Sequence, residues 1–165
     1  MSEKKISVFK DIGALIISII LAEGVGFLAG TFTRGADIYY RMLKRPPFAP
    51  PPWIFGIVWP VLYLLMAVAV YRVWLKRREG NGVNSALVLY IIQLILNFLW
   101  PILFFRLNLY GLSFIELVIL TIFVLLTTIK FFRIDKFAGL LMLPYLAWLI
   151  FAGLLNYSIW LLNEA

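Results

Sequence analysis

The sequence predicts an all-α integral membrane protein, a five-transmembrane-helix bundle with a long ordered first loop. Two observations predict this. Of the 165 residues, 64% are hydrophobic and only 14% are charged, against ~45–50% apolar residues in an ordinary soluble domain. The apolar residues are also gathered into five separate runs, each close to the ~20 residues that a helix needs to cross a bilayer. The runs are continuous and do not alternate, which excludes a transmembrane β-barrel. Helices satisfy their own backbone groups where no water is present.

The spans are read in order near 12–32, 53–73, 83–105, 107–129 and 137–162 of a single domain, 1–165. The first, Ile12 to Phe32, is interrupted by Glu23. Its apolar part is too long for a signal-peptide core and no clear A-x-A site follows, so it is read as a retained span. The second runs from Trp53, free of charge until Arg72, and the third from Val83 to Phe105. The fourth, from Leu107 to Ile129, carries Glu116, and the fifth, Phe137 to Leu162, carries no charge. Of the loops, Gly80-Asn81-Gly82 reads as a plain turn. The first loop is longer and contains Arg45-Pro46-Pro47-Phe48-Ala49-Pro50-Pro51-Pro52. Prolines fix φ and remove donors, so this stretch is expected to be stiff and extended. It reads either as an ordered lid or as a rigid helix-entry connector.

The net charge of +7 does not point to nucleic acid, because the positive residues lie between membrane runs. Ten of them (Lys4, Lys5, Lys10, Arg72, Lys76, Arg77, Arg78, Lys130, Arg133, Lys136) fall on one side of the membrane. Five (Arg34, Arg41, Lys44, Arg45, Arg106) fall on the other. The asymmetry predicts the N-terminus inside and the C-terminus outside, with anionic lipid as the partner of the basic loops.

With no His and no Cys, imidazole bases, thiol nucleophiles, thiolate zinc sites and His-ligated haem are excluded, and no cofactor is expected. What remains is apolar and aromatic surface. Residues three, four and seven apart share a helix face. One such stripe joins Gly56, Trp59, Tyr63 and Met66. A second joins Tyr90, Gln93, Asn97 and Trp100, and a third Tyr145, Trp148, Ala152 and Asn156. Amides are costly against lipid, so these faces are expected to point into the bundle. The stripes alone leave a ligand cavity and plain packing both open. Glu23 and Glu116 read as structural carboxyls or as members of a proton relay. The small-residue stripe Ala22, Gly26, Gly30 allows a close helix contact, within the bundle or between subunits.

Three separated segments, in order, resemble the TspO/MBR family of tryptophan-rich sensory proteins and translocator proteins. The first is Tyr39-Tyr40, Leu43, Arg45-Pro46, Phe48, Pro50-Pro51, Trp53, Gly56 and Trp59. The second is Gln93 to Phe105, and the third is Leu143-Pro144-Tyr145-Leu146-Ala147-Trp148 with Phe151-Ala152 and Leu155-Asn156-Tyr157. The resemblance implies a ligand pocket capped by the first loop, commonly in a homodimer. It implies binding of porphyrins and related tetrapyrroles, and of benzodiazepine and isoquinoline drugs. Trp59, Tyr63, Asn97, Trp100, Phe104, Trp148, Ala152 and Leu155 match the family's pocket positions. Some bacterial relatives promote light-dependent breakdown of protoporphyrin, a chemistry tied to the tryptophans matching Trp59 and Trp148, which makes a porphyrin-degrading enzyme the alternative to a receptor or transporter. The stretch after Leu155-Asn156-Tyr157 has no Lys or Arg and departs from the family's sterol-recognition pattern. Arg41, Lys44 and Arg45 are placed to meet porphyrin propionates at the mouth. Without a targeting extension, a prokaryotic cell membrane is the expected location.

Overall fold

The computed structural model describes residues 3–78 and 82–164, and the side chains of residues 3–11 and of Arg78 are outside it. The side chains of Lys4, Lys5, Lys10 and Arg78 of the orientation count, and Gly80 and Asn81 of the second loop, therefore lie outside the description. The chain forms α1 (Glu3–Phe32), α2 (Ala36–Met42), α3 (Trp53–Leu75), α4 (Val83–Pro101), α5 (Tyr110–Ile134) and α6 (Lys136–Asn163). All but α2 are long and apolar enough to span a bilayer, so the protein is a multi-pass integral membrane protein.

Three expectations about the segments change. The fourth span begins at Tyr110, not Leu107, and runs on to Ile134. At its start, α4 gives way after Pro101 to a wide turn over Ile102–Arg106. There the Leu107 N–H donates to Ile102 O and the Leu109 N–H to Leu103 O, and Asn108 takes a positive φ of 57°. Arg106 and Asn108 are its only polar residues and leucines stand beside both, so hydropathy alone sets the start of the span too early. At the far end, Lys130 and Arg133 stay helical and the link to α6 shrinks to Asp135. Third, the first loop, which lies outside the five predicted helices, contains a short one ahead of its proline run. Gly35, at φ 82°, turns the chain after α1 and admits the short helix α2, with the proline run following it.

Helix α5 packs along both α4 and α6, while α3 lies against α1 and α6. The interior is the more polar part. Gln93, Asn97, Ser113, Glu116, Thr127, Thr128 and Asn156 are buried, whereas Ile17, Ile20, Ile95 and Leu154 face outward. This is the arrangement a lipid solvent dictates, since apolar side chains lose nothing by facing acyl chains and amides lose much. Helix α1 is the least buried of the spans. It is held mainly by α3, where the Tyr63 ring lies directly against Gly26 and leaves no space for a Cβ. The small-residue stripe is thus used inside the bundle.

Asp135 fixes the α5–α6 corner. Its carboxylate accepts from Ala138 N–H (2.8 Å), capping α6, and from Arg72 Nε (3.0 Å) and Nη2 (2.8 Å). The Arg72 guanidinium holds the Asp135 carboxyl below its usual range, against a smaller opposing effect of burial. A depressed folded-state pKa stabilises above the ordinary carboxylate range, and the contribution is lost as pH falls through the folded-state value. Asp135→Ala is expected to cost about 1–2 kcal/mol at neutral pH, most of it from the cap because Arg72 is part-exposed. Thermal unfolding in detergent checks this. The gap to wild type is expected to close as pH drops below the carboxylate range.

Candidate functional site

A cavity of about 540 Å³ lies between α1, α3 and α4 beneath α2. Gly26, Gly30 and Glu23 line it from α1, Ala36, Asp37 and Tyr40 from α2, and Phe55, Gly56, Trp59 and Tyr63 from α3. Asn97, Trp100 and Pro101 close it from α4. The room comes from missing side chains. A Cβ on Gly30 or Gly56 would meet open space, so larger residues at either position would occupy the void. Phe27, largely exposed, stands at the rim.

The aromatic wall is Trp59, with its ring centroid 5.7 Å from Tyr63 and 6.5 Å from Trp100, tilted 33° to each. Behind it runs a directed hydrogen-bond chain. Tyr63 Oη donates to Asn97 Oδ1, Asn97 Nδ2 donates to Tyr145 Oη (2.6 Å), and Tyr145 Oη donates to Gln93 Oε1 (3.1 Å). All four side chains are buried. Trp100 is set by a second network, in which its Nε1 donates to Asn156 Oδ1 (2.9 Å). Ser113 Oγ shares that oxygen (3.0 Å), and Asn156 Nδ2 donates to Tyr110 O (2.9 Å).

Of the eight residues singled out from the sequence, Trp59, Tyr63, Asn97 and Trp100 line the cavity. Phe104, Ala152 and Leu155 line a pocket of only about 10 Å³ that shares Tyr40, Phe55, Trp100 and Phe105 with the main cavity. Trp148 lines neither. It is one ring removed, edge-on to Phe55 (5.8 Å) and beside Phe151 (5.3 Å), with its Nε1 buried and lacking an acceptor among the described residues. The α1 wall, α2 and Phe55 were not picked out as site residues from the sequence. The signal for α1 was present in the Gly26, Gly30 stripe, which marks a void as well as a contact.

The lid is tied down at two points. Asn163 at the end of α6 accepts from Lys44 N–H (3.0 Å) and donates to Lys44 O (2.9 Å). Tyr40 is buried edge-on to Phe55 (5.3 Å), with the Arg45 guanidinium 5.0 Å from its ring centroid. Burial pushes the Tyr40 phenol up, partly offset by Arg45. Arg41, Lys44 and Arg45 are exposed, and none of the three lines the cavity.

The profile of the TspO/MBR family matches residues 17–161. The chain belongs to the TspO/MBR family. It is 40% identical to the Tryptophan-rich protein TspO of Chlorobaculum tepidum, over 93% of this chain and 98% of that protein. The Translocator protein of Bos taurus is 37% identical over 84% of this chain and 83% of its own. The Tryptophan-rich sensory protein of Cereibacter sphaeroides is 35% identical, over 91% and 92% respectively. Membership of the TspO/MBR family, with five membrane spans, supports a membrane receptor-like role.

Two outcomes follow for this TspO/MBR site. Asn97→Leu leaves the buried Tyr63 hydroxyl without its acceptor, and is expected to cost about 1–3 kcal/mol, seen as a lower melting temperature. Asn163→Ala frees the lid without touching the core. Amide exchange at Lys44 is expected to accelerate while the melting temperature stays near wild type.

Proposed function

We propose that this protein is a membrane receptor for porphyrins and other flat hydrophobic ligands, held in the cavity between α1, α3 and α4. The observation that carries the reading is a void of about 540 Å³ walled by the indoles of Trp59 and Trp100. Its size falls within the ~300–1,000 Å³ of small-molecule sites, and its lining is mostly apolar with few polar groups, as such sites are. Trp59 and Trp100 supply faces for stacking. Tyr63 and Asn97 supply the directional polar contact. Phe104, Ala152 and Leu155 extend the site toward α6, and Trp148 supports it through Phe55. The ligand partitions from the bilayer, so membrane lipid is the second partner.

In this reading the protein sits in a prokaryotic cell membrane, N-terminus inside and C-terminus outside, which the ten-to-five distribution of Lys and Arg supports. The lid then faces the outside. A homodimer would join through outward apolar faces, because Gly26 is already taken up by Tyr63.

Titration of the protein in nanodiscs with protoporphyrin, followed by tryptophan fluorescence, tests the proposal. Saturable quenching is expected. Gly56→Leu, which fills the void, and Trp59→Leu, which removes a stacking face, are each expected to weaken binding about tenfold or more, about 1.4 kcal/mol. Unchanged affinity in Gly56→Leu would place the ligand elsewhere. Illuminating the complex separates the enzymatic alternative, which requires products above a protein-free control and their loss in Trp148→Phe. Uptake of a labelled porphyrin into vesicles reads out transport.

A further inference from the structure

Two voids meet at one side chain. Among the described residues, none from α6 lines the main cavity, although α6 packs on α3. The α6 residues Ala152, Leu155 and Asn156 line the small pocket instead. The partition between the voids consists of the four residues that border both: Tyr40, Phe55, Trp100 and Phe105.

Three of the four are held in place. The Trp100 indole donates to Asn156, and Phe105 is clasped by Trp100 (6.0 Å) and Phe104 (4.8 Å). Tyr40 is buried, with the Arg45 guanidinium over its ring. Phe55 has no such anchor. It is part-exposed, and its ring meets Tyr40 (5.3 Å) and Trp148 (5.8 Å) only edge-on. Its backbone belongs to the first turn of α3, where its N–H donates to Pro52 O (3.2 Å) and no full helical turn precedes it. Behind it, Trp148 Nε1 is buried and lacks an acceptor among the described residues. A buried donor left unpaired is costly, and a ligand that moves Phe55 aside stands next to it.

We propose that Phe55 is the size filter of the cavity: a two-ring ligand leaves it in place, whereas a tetrapyrrole turns it aside and reaches Trp148. This rests on the reading of the cavity as a ligand site, and names the residue that sets the ligand's size. A disc of four linked pyrroles stacked on Trp59 and Trp100 overhangs both indoles. The partition yields where it is unanchored, and the void lined by Ala152 and Leu155 then joins the main one.

The test uses two probes in nanodiscs, quinoline and free-base protoporphyrin. Binding is followed by tryptophan quenching. Contact is read as nuclear Overhauser effects between ligand protons and the indole N–H groups, with the Trp148 signal assigned by its loss in Trp148→Phe. In wild type, protoporphyrin is expected to contact Trp148 and quinoline is not. In Phe55→Ala, quinoline is expected to contact Trp148 as well, and protoporphyrin to bind at least as tightly as to wild type. Phe55→Leu, which keeps more of the apolar volume, is expected to move both readouts the same way if the alanine variant does not fold. Quinoline at Trp148 in wild type, or saturable protoporphyrin binding that never touches Trp148, would overturn the inference and leave the cavity as the binding site. A loss of about tenfold in protoporphyrin affinity in Phe55→Ala would also overturn it, marking Phe55 as an ordinary contact. Absence of saturable quenching by both probes would overturn the receptor reading and this inference together.

Discussion

Inside a bilayer an amide has no water to fall back on, and the bundle is organised around one buried where three helices meet. Asn97 takes the Tyr63 proton and gives one of its own to Tyr145, which passes the chain to Gln93 on the same helix. Three helices, α3, α4 and α6, are thereby locked in rotation and depth, because a shift of any of them strands a buried polar group. In a soluble protein such a chain would compete with hydrophobic burial as the source of order. Here the hydrophobic effect does not distinguish inside from outside once the helices are inserted, so directed hydrogen bonds and close packing carry the specificity. The Asn156 network performs the same service for Trp100, and connects α6 to the start of α5.

The cavity is the complement of this rigid half. Helix α1 stays outside both networks and packs mainly on α3, with Gly26 directly against the Tyr63 ring. Where α1 runs on past that contact, Gly30 and Gly56 both border open space, and Trp59 and Trp100 line the void between α1 and α4. An aromatic wall held by hydrogen bonds therefore faces one that carries small residues at Gly26, Ala29 and Gly30. Over both lies α2, tied to the far end of the chain by the paired bonds between Asn163 and Lys44. The lid is anchored to α6, a member of the rigid set, and the open side is left to α1.

Much of this was legible in the chain. Period and residue type placed Gly56, Trp59 and Tyr63, and Gln93, Asn97 and Trp100, on inward faces, and the structure buries the two amides completely or nearly so. Amides and indoles among leucines are strong signals because lipid penalises them. The signals failed where the chemistry of a residue does not change with its role. The turn at Leu107–Leu109 carries one polar residue, Asn108, between two leucines, too little to shift the hydropathy that set the start of the span. The helix α2 is too short to show a period. Trp148, on an inward stripe, is screened by Phe55, and no spacing within one helix says which ring of another stands in front of it.

The sequence by itself determined that the protein crosses a membrane five times, that its interior is aromatic and amide-bearing, and that no imidazole or thiol takes part. These follow from composition and local period, which each helix carries alone. The tertiary structure decided which stripes enclose empty volume and which only pack, because a void belongs to the space between helices. It also decided that Glu23, without a hydrogen-bond partner among the described residues, lines that void. The charge was in the chain, but its lack of a partner is a property of everything placed around it.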